Sequence, residues 1–143
     1  MIRLILIFIL WSYSISAMDT PLIVEPITAE TQLIQIHHLA CDFMKCYIPD
    51  DVVILEEVMR RAARRSGAKD LEFVGHKFGD GGLSGTLILA ESHISIHYWS
   101  QQRYASIDIV TCGKCDPQKA LEYLKHKLKP LAVVCKNIPR SVE

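Results

Sequence analysis

Ser92 lies inside LAESHISIHYW (89–99), a strand-like apolar run that also carries Glu91, His93 and His97. Twenty residues after Ser92, the equally apolar run IDIVTCGKC (107–115) ends in the thiols of Cys112 and Cys115. A hydroxyl, an imidazole and a thiol in such places admit more than one chemistry. Ordinary serine hydrolysis is poorly supported, because Ser92 lacks a Gly-x-Ser-x-Gly elbow and no acid stands in a recognised triad order. An intramolecular reaction fits better. A serine hydroxyl can attack the carbonyl of the residue before it, here Glu91, and turn the amide into an ester. Removal of the serine α-proton then breaks that ester, and the dehydroalanine left behind tautomerises to an imine that takes up water and releases ammonia to become a pyruvoyl ketone. Such a ketone condenses with a substrate amine and draws electrons during decarboxylation.

The other chemistry-bearing patterns are weaker. Cys112 and Cys115 form a CxxC, but a zinc site needs a second pair or histidines at matching spacing, and neither is evident, so no metal is expected. As a thioredoxin-like motif the CxxC is only a partial match. Five cysteines (41, 46, 112, 115 and 135) leave at least one thiol outside any intrachain pairing. The cluster GDGG (79–82) lacks the Gly-Lys-Ser/Thr ending of a phosphate loop and reads as a tight connection. Lys+Arg and Asp+Glu both number 16, so the net charge of zero gives no reason to expect nucleic acid as a partner. The local run RRAARR (60–65) reads as a solvated helix end, where cations complement the helix dipole.

The elements that must position these residues can be read from periodicity. LIQIHHLACDF (33–43) is strand-like, and 51–66 has helical apolar spacing, with Asp51 at its start and Gly67 at its end. Strands follow at 71–78 and 83–90, then at 93–99 and 104–111 across the turn SQQR. A second helix opens at Asp116-Pro117, and 131–138 closes with a strand. The order β-α-β-β-β-β-α-β with short connections predicts an α+β two-layer sandwich, a mainly antiparallel sheet with two helices on one face.

On these residues the chain resembles the bacterial and archaeal S-adenosylmethionine decarboxylase proenzymes, marked by a Ser-Glu-Ser-His segment, a later histidine and a Thr-Cys-Gly cysteine. AESHISIHYW with SIDIVTCG carries the likeness, and HKF (76–78) and LSG (83–85) extend it. The resemblance implies self-cleavage between Glu91 and Ser92, with Ser92 becoming a covalent pyruvoyl cofactor. It implies that His97 serves processing and that Cys112 protonates the substrate α-carbon after carbon dioxide leaves. Phe78 matches an aromatic near the adenine-containing substrate, and Ser84 a residue supporting cleavage. The substrate implied is the small molecule S-adenosylmethionine, its product serving spermidine synthesis. The partner implied is a second copy, in a homodimer of cleaved protomers with each site near the interface. His37, His38 and His93 are read as structural.

The chain departs from the family at three points. The first motif serine is Ala90. The family usually has Pro-Glu after the Trp, where the glutamate holds the ribose hydroxyls; this chain has Ser100-Gln101, and Gln101 is the substrate-binding candidate there, able to hydrogen-bond the diol without a carboxylate's charge. Residues 1–17 have the layout of a secretory signal peptide, whereas the family is cytosolic, and Met18 opens a second possible start. The domain is expected at 33–143, after a linker at 18–32. The altered substrate position keeps open a pyruvoyl-dependent decarboxylase of ornithine or arginine, and export keeps open a non-enzymatic binding relative. Two geometric expectations follow. A one-sided sheet should leave an apolar face for the second copy. Ser92 and His97 lie on opposite faces of a regular strand, so a bulge or bend at Ser92 is needed.

Overall fold

The computed structural model describes residues 34–140, so the readings of 1–17 and 18–32 lie outside the described residues. The elements are β1 (Ile36–Met44), α1 (Val52–Ser66), β2 (Asp70–Lys77), β3 (Leu83–Leu89), β4 (Ser92–Trp99), β5 (Tyr104–Cys112), α2 (Pro117–Leu128) and β6 (Ala132–Asn137). The six strands form one sheet in the order β2-β3-β4-β5-β1-β6, with every neighbouring pair antiparallel. α1 packs over β2 and β3, and α2 over β5 and β1. This is the expected α+β two-layer sandwich.

Each helix begins and ends where its sequence dictates. Asp51 accepts from the Val53 N–H at 2.7 Å, and Gly67 ends α1 at φ +85°, a conformation that costs glycine nothing. Asp116 caps α2 in the same way, with Pro117 in the first turn. Period-two alternation sends Leu39, Phe43, Leu87, Ile94, Ile96, Ile107 and Ile109 into the core. There they meet Leu55, Met59, Ala62 and Leu124 of the helices.

The same alternation places Ser84, Thr86, His93, Ser95, His97, Ser106, Asp108, His38 and Asp42 on the uncovered face. The expectation of an apolar face is therefore corrected. Only scattered apolar side chains such as Val74, Ile88, Trp99 and Val134 are exposed there. Its polar groups are partly tied to one another, His38 Nε2 to Asp108 at 3.3 Å and the Tyr104 hydroxyl to Asp42. A Cys41–Cys135 disulfide joins β1 to the edge strand β6 and leaves Cys46, Cys112 and Cys115 free.

Part of the basic run on α1 is structural. Arg60 donates to Asp70 at 2.9 Å and Arg64 does so twice at 3.1 Å, clamping the helix to the start of β2. The Arg64 guanidinium first, opposed by burial and joined by Arg60, lowers the Asp70 carboxyl to about 2. A depressed carboxyl contributes stability above its usual value of 3.8 and loses it as pH falls toward about 2. Asp70→Asn should cost about 1 kcal/mol at neutral pH, less in high salt, because Arg64 is largely exposed. Urea unfolding at pH 7 and pH 2 checks this, since the gap between wild type and variant should close at the lower pH.

Candidate active site

β3 and β4 are joined by the two-residue turn Ala90–Glu91, with Leu89 paired to Ser92. Glu91 takes φ +65°, a left-handed conformation that costs a non-glycine residue on the order of 1 kcal/mol. β4 also pairs with β5, His93 opposite Val110, so the ladder carried on brings Cys112 beside Glu91. The Cys112 thiol donates to the Glu91 carbonyl oxygen at 3.0 Å. Burial, followed by the Glu91 carboxylate and the Cys115 thiol, raises the Cys112 pKa and keeps the thiol protonated at neutral pH. The chain after Cys112 is held in place by three further bonds. Buried Thr111 donates its hydroxyl to Cys115 O at 3.1 Å, Gly113 N–H donates to Gln35 O at 2.9 Å, and His37 Nε2 lies 3.3 Å from Gly113 O.

Ser84 and His97 form a second group. They are cross-strand partners on the open face, with Ser84 Oγ and His97 Nδ1 hydrogen-bonded at 2.8 Å. Ser84 owes its place partly to Gly85, where a Cβ would come within 2.8 Å of the Phe73 ring and 3.0 Å of Leu55. Around this pair lies a cleft of about 550 Å³ lined by Phe78, Gly79, Asp80, Gly82, Leu83, Ser84, His97, Tyr98 and Trp99. Phe78 and His97 thus line the same cleft. Gln101, in the turn after Trp99, is not among the lining residues.

The two groups do not meet within one chain. β4 keeps a regular register with both neighbours from His93 to Tyr98, so no bulge reverses the alternation. Ser92 points to the helix side and His97 to the open face, about 17 Å apart along the strand at some 3.4 Å per residue. The bend expected at Ser92 is found instead at Glu91. Sequence reasoning missed Thr111 and Asp80. Thr111 stood in plain view in the Thr-Cys-Gly motif, and Asp80 in a cluster read only as a turn.

A family model described as S-adenosylmethionine decarboxylase matches residues 37–141. The chain is 42% identical over 95 residues to the S-adenosylmethionine decarboxylase proenzyme of Thermotoga petrophila, covering 64% of this chain and 73% of that protein. It is 39% identical over 108 residues to the protein of the same name from Clostridium botulinum, covering 73% and 93%. Its fold is similar to the crystal structure of the adenosylmethionine decarboxylase from Aquifex aeolicus, with a TM-score of 0.69 at 24% identity over 78% of this chain and 95% of that one.

Proposed function

The chain belongs to the S-adenosylmethionine decarboxylase family, and from that premise we propose that it is a self-processing, pyruvoyl-dependent enzyme converting S-adenosylmethionine to its decarboxylated form. The observation that carries the reading is the Cys112 thiol on the carbonyl of the Glu91–Ser92 bond, at 3.0 Å. A donor in that place stabilises the oxyanion that forms when the Ser92 hydroxyl attacks the Glu91 carbon. The left-handed Glu91 is relieved when the bond breaks. Half-buried at the head of β4, with the Cys112 thiol on the preceding carbonyl, Ser92 is the residue that would become the pyruvoyl group, which would supply a ketone for the substrate amine and an electron sink as carbon dioxide leaves. Cys112, kept protonated, then gives its proton to the substrate α-carbon.

His97 is the base for the Ser92 α-proton. A base at Nε2 requires Nδ1 to hold the ring proton and donate it to Ser84 Oγ, the bond present at 2.8 Å. The distance along β4 makes this a reaction between two copies. A second protomer laid on the open face with its β4 reversed brings its Ser84, His97 and Phe78 to the first protomer's Cys112 and to the Glu91–Ser92 backbone, from the side opposite the Ser92 side chain. The two groups lie beside opposite ends of β4, so a two-fold axis running between the two open faces, at right angles to β4 and over its middle, forms two whole sites. Because the open face is polar, such an interface would be wet, with water bridging its polar groups. The family assignment favours this substrate over ornithine or arginine, and an enzyme over a binding-only relative.

The test is release of labelled carbon dioxide from carboxyl-labelled S-adenosylmethionine, comparing wild type with Cys112→Ala. Turnover should fall about 100-fold or more with loss of the acid, and cleavage should slow by about 100-fold with loss of the oxyanion donor. A Cys112→Ala enzyme that cleaves and turns over normally contradicts the reading.

A further inference from the structure

Resting on the function just proposed, we propose that Asp80 is the residue that recognises the ribose diol of the substrate, supplying the carboxylate that position 101 lacks. Asp80 is the one carboxylate among the residues lining the cleft beside His97 and Phe78, whereas Gln101 is outside that lining. A vicinal diol presents two hydroxyl donors, which a single carboxylate accepts together and binds more strongly than an amide does. S-adenosylmethionine also carries a sulfonium cation, which a carboxylate in the cleft attracts.

The loop that presents Asp80 is built for it. Phe78 N–H donates to Gly82 O at 2.8 Å, Gly81 N–H to Phe78 O at 3.0 Å, and the Ser100 hydroxyl to Asp80 O at 3.1 Å. Gly81 adopts φ +82°, and a Cβ there would sit 2.9 Å from Ser100 Oγ, so this approach of the two turns needs glycine. Ser100, which stands where the family usually has proline, is therefore a tether for the Asp80 loop. Asp80 Oδ1 accepts from Gly82 N–H at 3.0 Å, which orients the carboxylate and leaves Oδ2 for a ligand. The nearby Lys77 is engaged by Asp50 at 2.8 Å, and among the described residues no cation pairs with Asp80.

Asp80→Asn keeps the Gly82 bond and the side-chain shape while removing the charge. In the processed enzyme it should raise KM for S-adenosylmethionine about tenfold with kcat nearly unchanged, and cleavage at Glu91–Ser92 should proceed at the wild-type rate. The wild type should discriminate against a 2′-deoxy analogue, and the variant should lose most of that discrimination. Gln101→Ala should change neither. An Asp80→Asn enzyme with unchanged KM and undiminished discrimination overturns the proposal and leaves the functional reading standing. Failure of the variant to cleave also overturns it, by placing Asp80 in processing. A wild-type protein that cleaves yet neither binds nor converts S-adenosylmethionine overturns the functional reading, and this proposal with it.

Discussion

Ser92→Ala protein should remain a single chain however long it is incubated, and should release no carbon dioxide from S-adenosylmethionine. Ser92 is the residue whose own hydroxyl adjoins the Glu91 carbonyl, and no other group can both attack that carbon and become the ketone. The substitution is mild for the fold, because Ser92 is the half-buried first residue of β4 and its backbone pairing with Leu89 does not involve the hydroxyl. Circular dichroism should therefore match the wild type while a denaturing gel shows only the uncut band. Cleavage at the same bond in this variant would mean that water or Cys112 is the nucleophile, and would remove the basis for a pyruvoyl group.

The second large effect is expected at His97, and its location makes the experiment informative. His97→Ala should stall processing at the ester by a factor of 100 or more, since it removes the base for the α-proton. Hydroxylamine, which cleaves esters, should then split the stalled chain. Mixing unfolded His97→Ala and Ser92→Ala chains and refolding them together should restore cleavage of the His97→Ala chain. In a mixed dimer its Ser92 faces the intact His97 of the other copy. Light scattering should show a dimer at micromolar concentration. Rescue in the mixture together with a dimer supports the shared site, whereas a His97→Ala chain that matures alone at the normal rate makes His97 structural.

Most of the fold was legible because the apolar spacing was clean. The alternation in 93–99 and 104–111 defined two strands within a residue or two of their ends, and Asp51, Gly67 and Asp116-Pro117 bounded the helices. The nature of the open face was not legible. Both apolar and polar residues alternate along these strands, and only the covering helices decide which set is buried. The cysteine pairing was hidden for a similar reason: Cys41 and Cys135 become neighbours only when β6 docks beside β1, 94 residues along the chain. At the site, local motifs named Glu91, Ser92 and Cys112, and the β4–β5 register put them together. That His97 lies well down β4 from Ser92 followed from counting residues. The proposal that His97 acts on another copy needed the regular register of the strand. Asp80 was masked by its glycine neighbours, since a carboxylate in a turn is usually there to hold the turn.

The measurement that tests the account most directly is the intact mass of the purified wild-type protein. Cleavage at Glu91–Ser92 consumes one water and releases one ammonia, so two fragments are predicted. One ends at Glu91 with an ordinary carboxylate. The other spans 92–143, is lighter by one ammonia than a peptide beginning with Ser92, and shifts on reduction with borohydride as a ketone should. A single species at the uncleaved mass, with an unmodified Ser92 after prolonged incubation, contradicts the account.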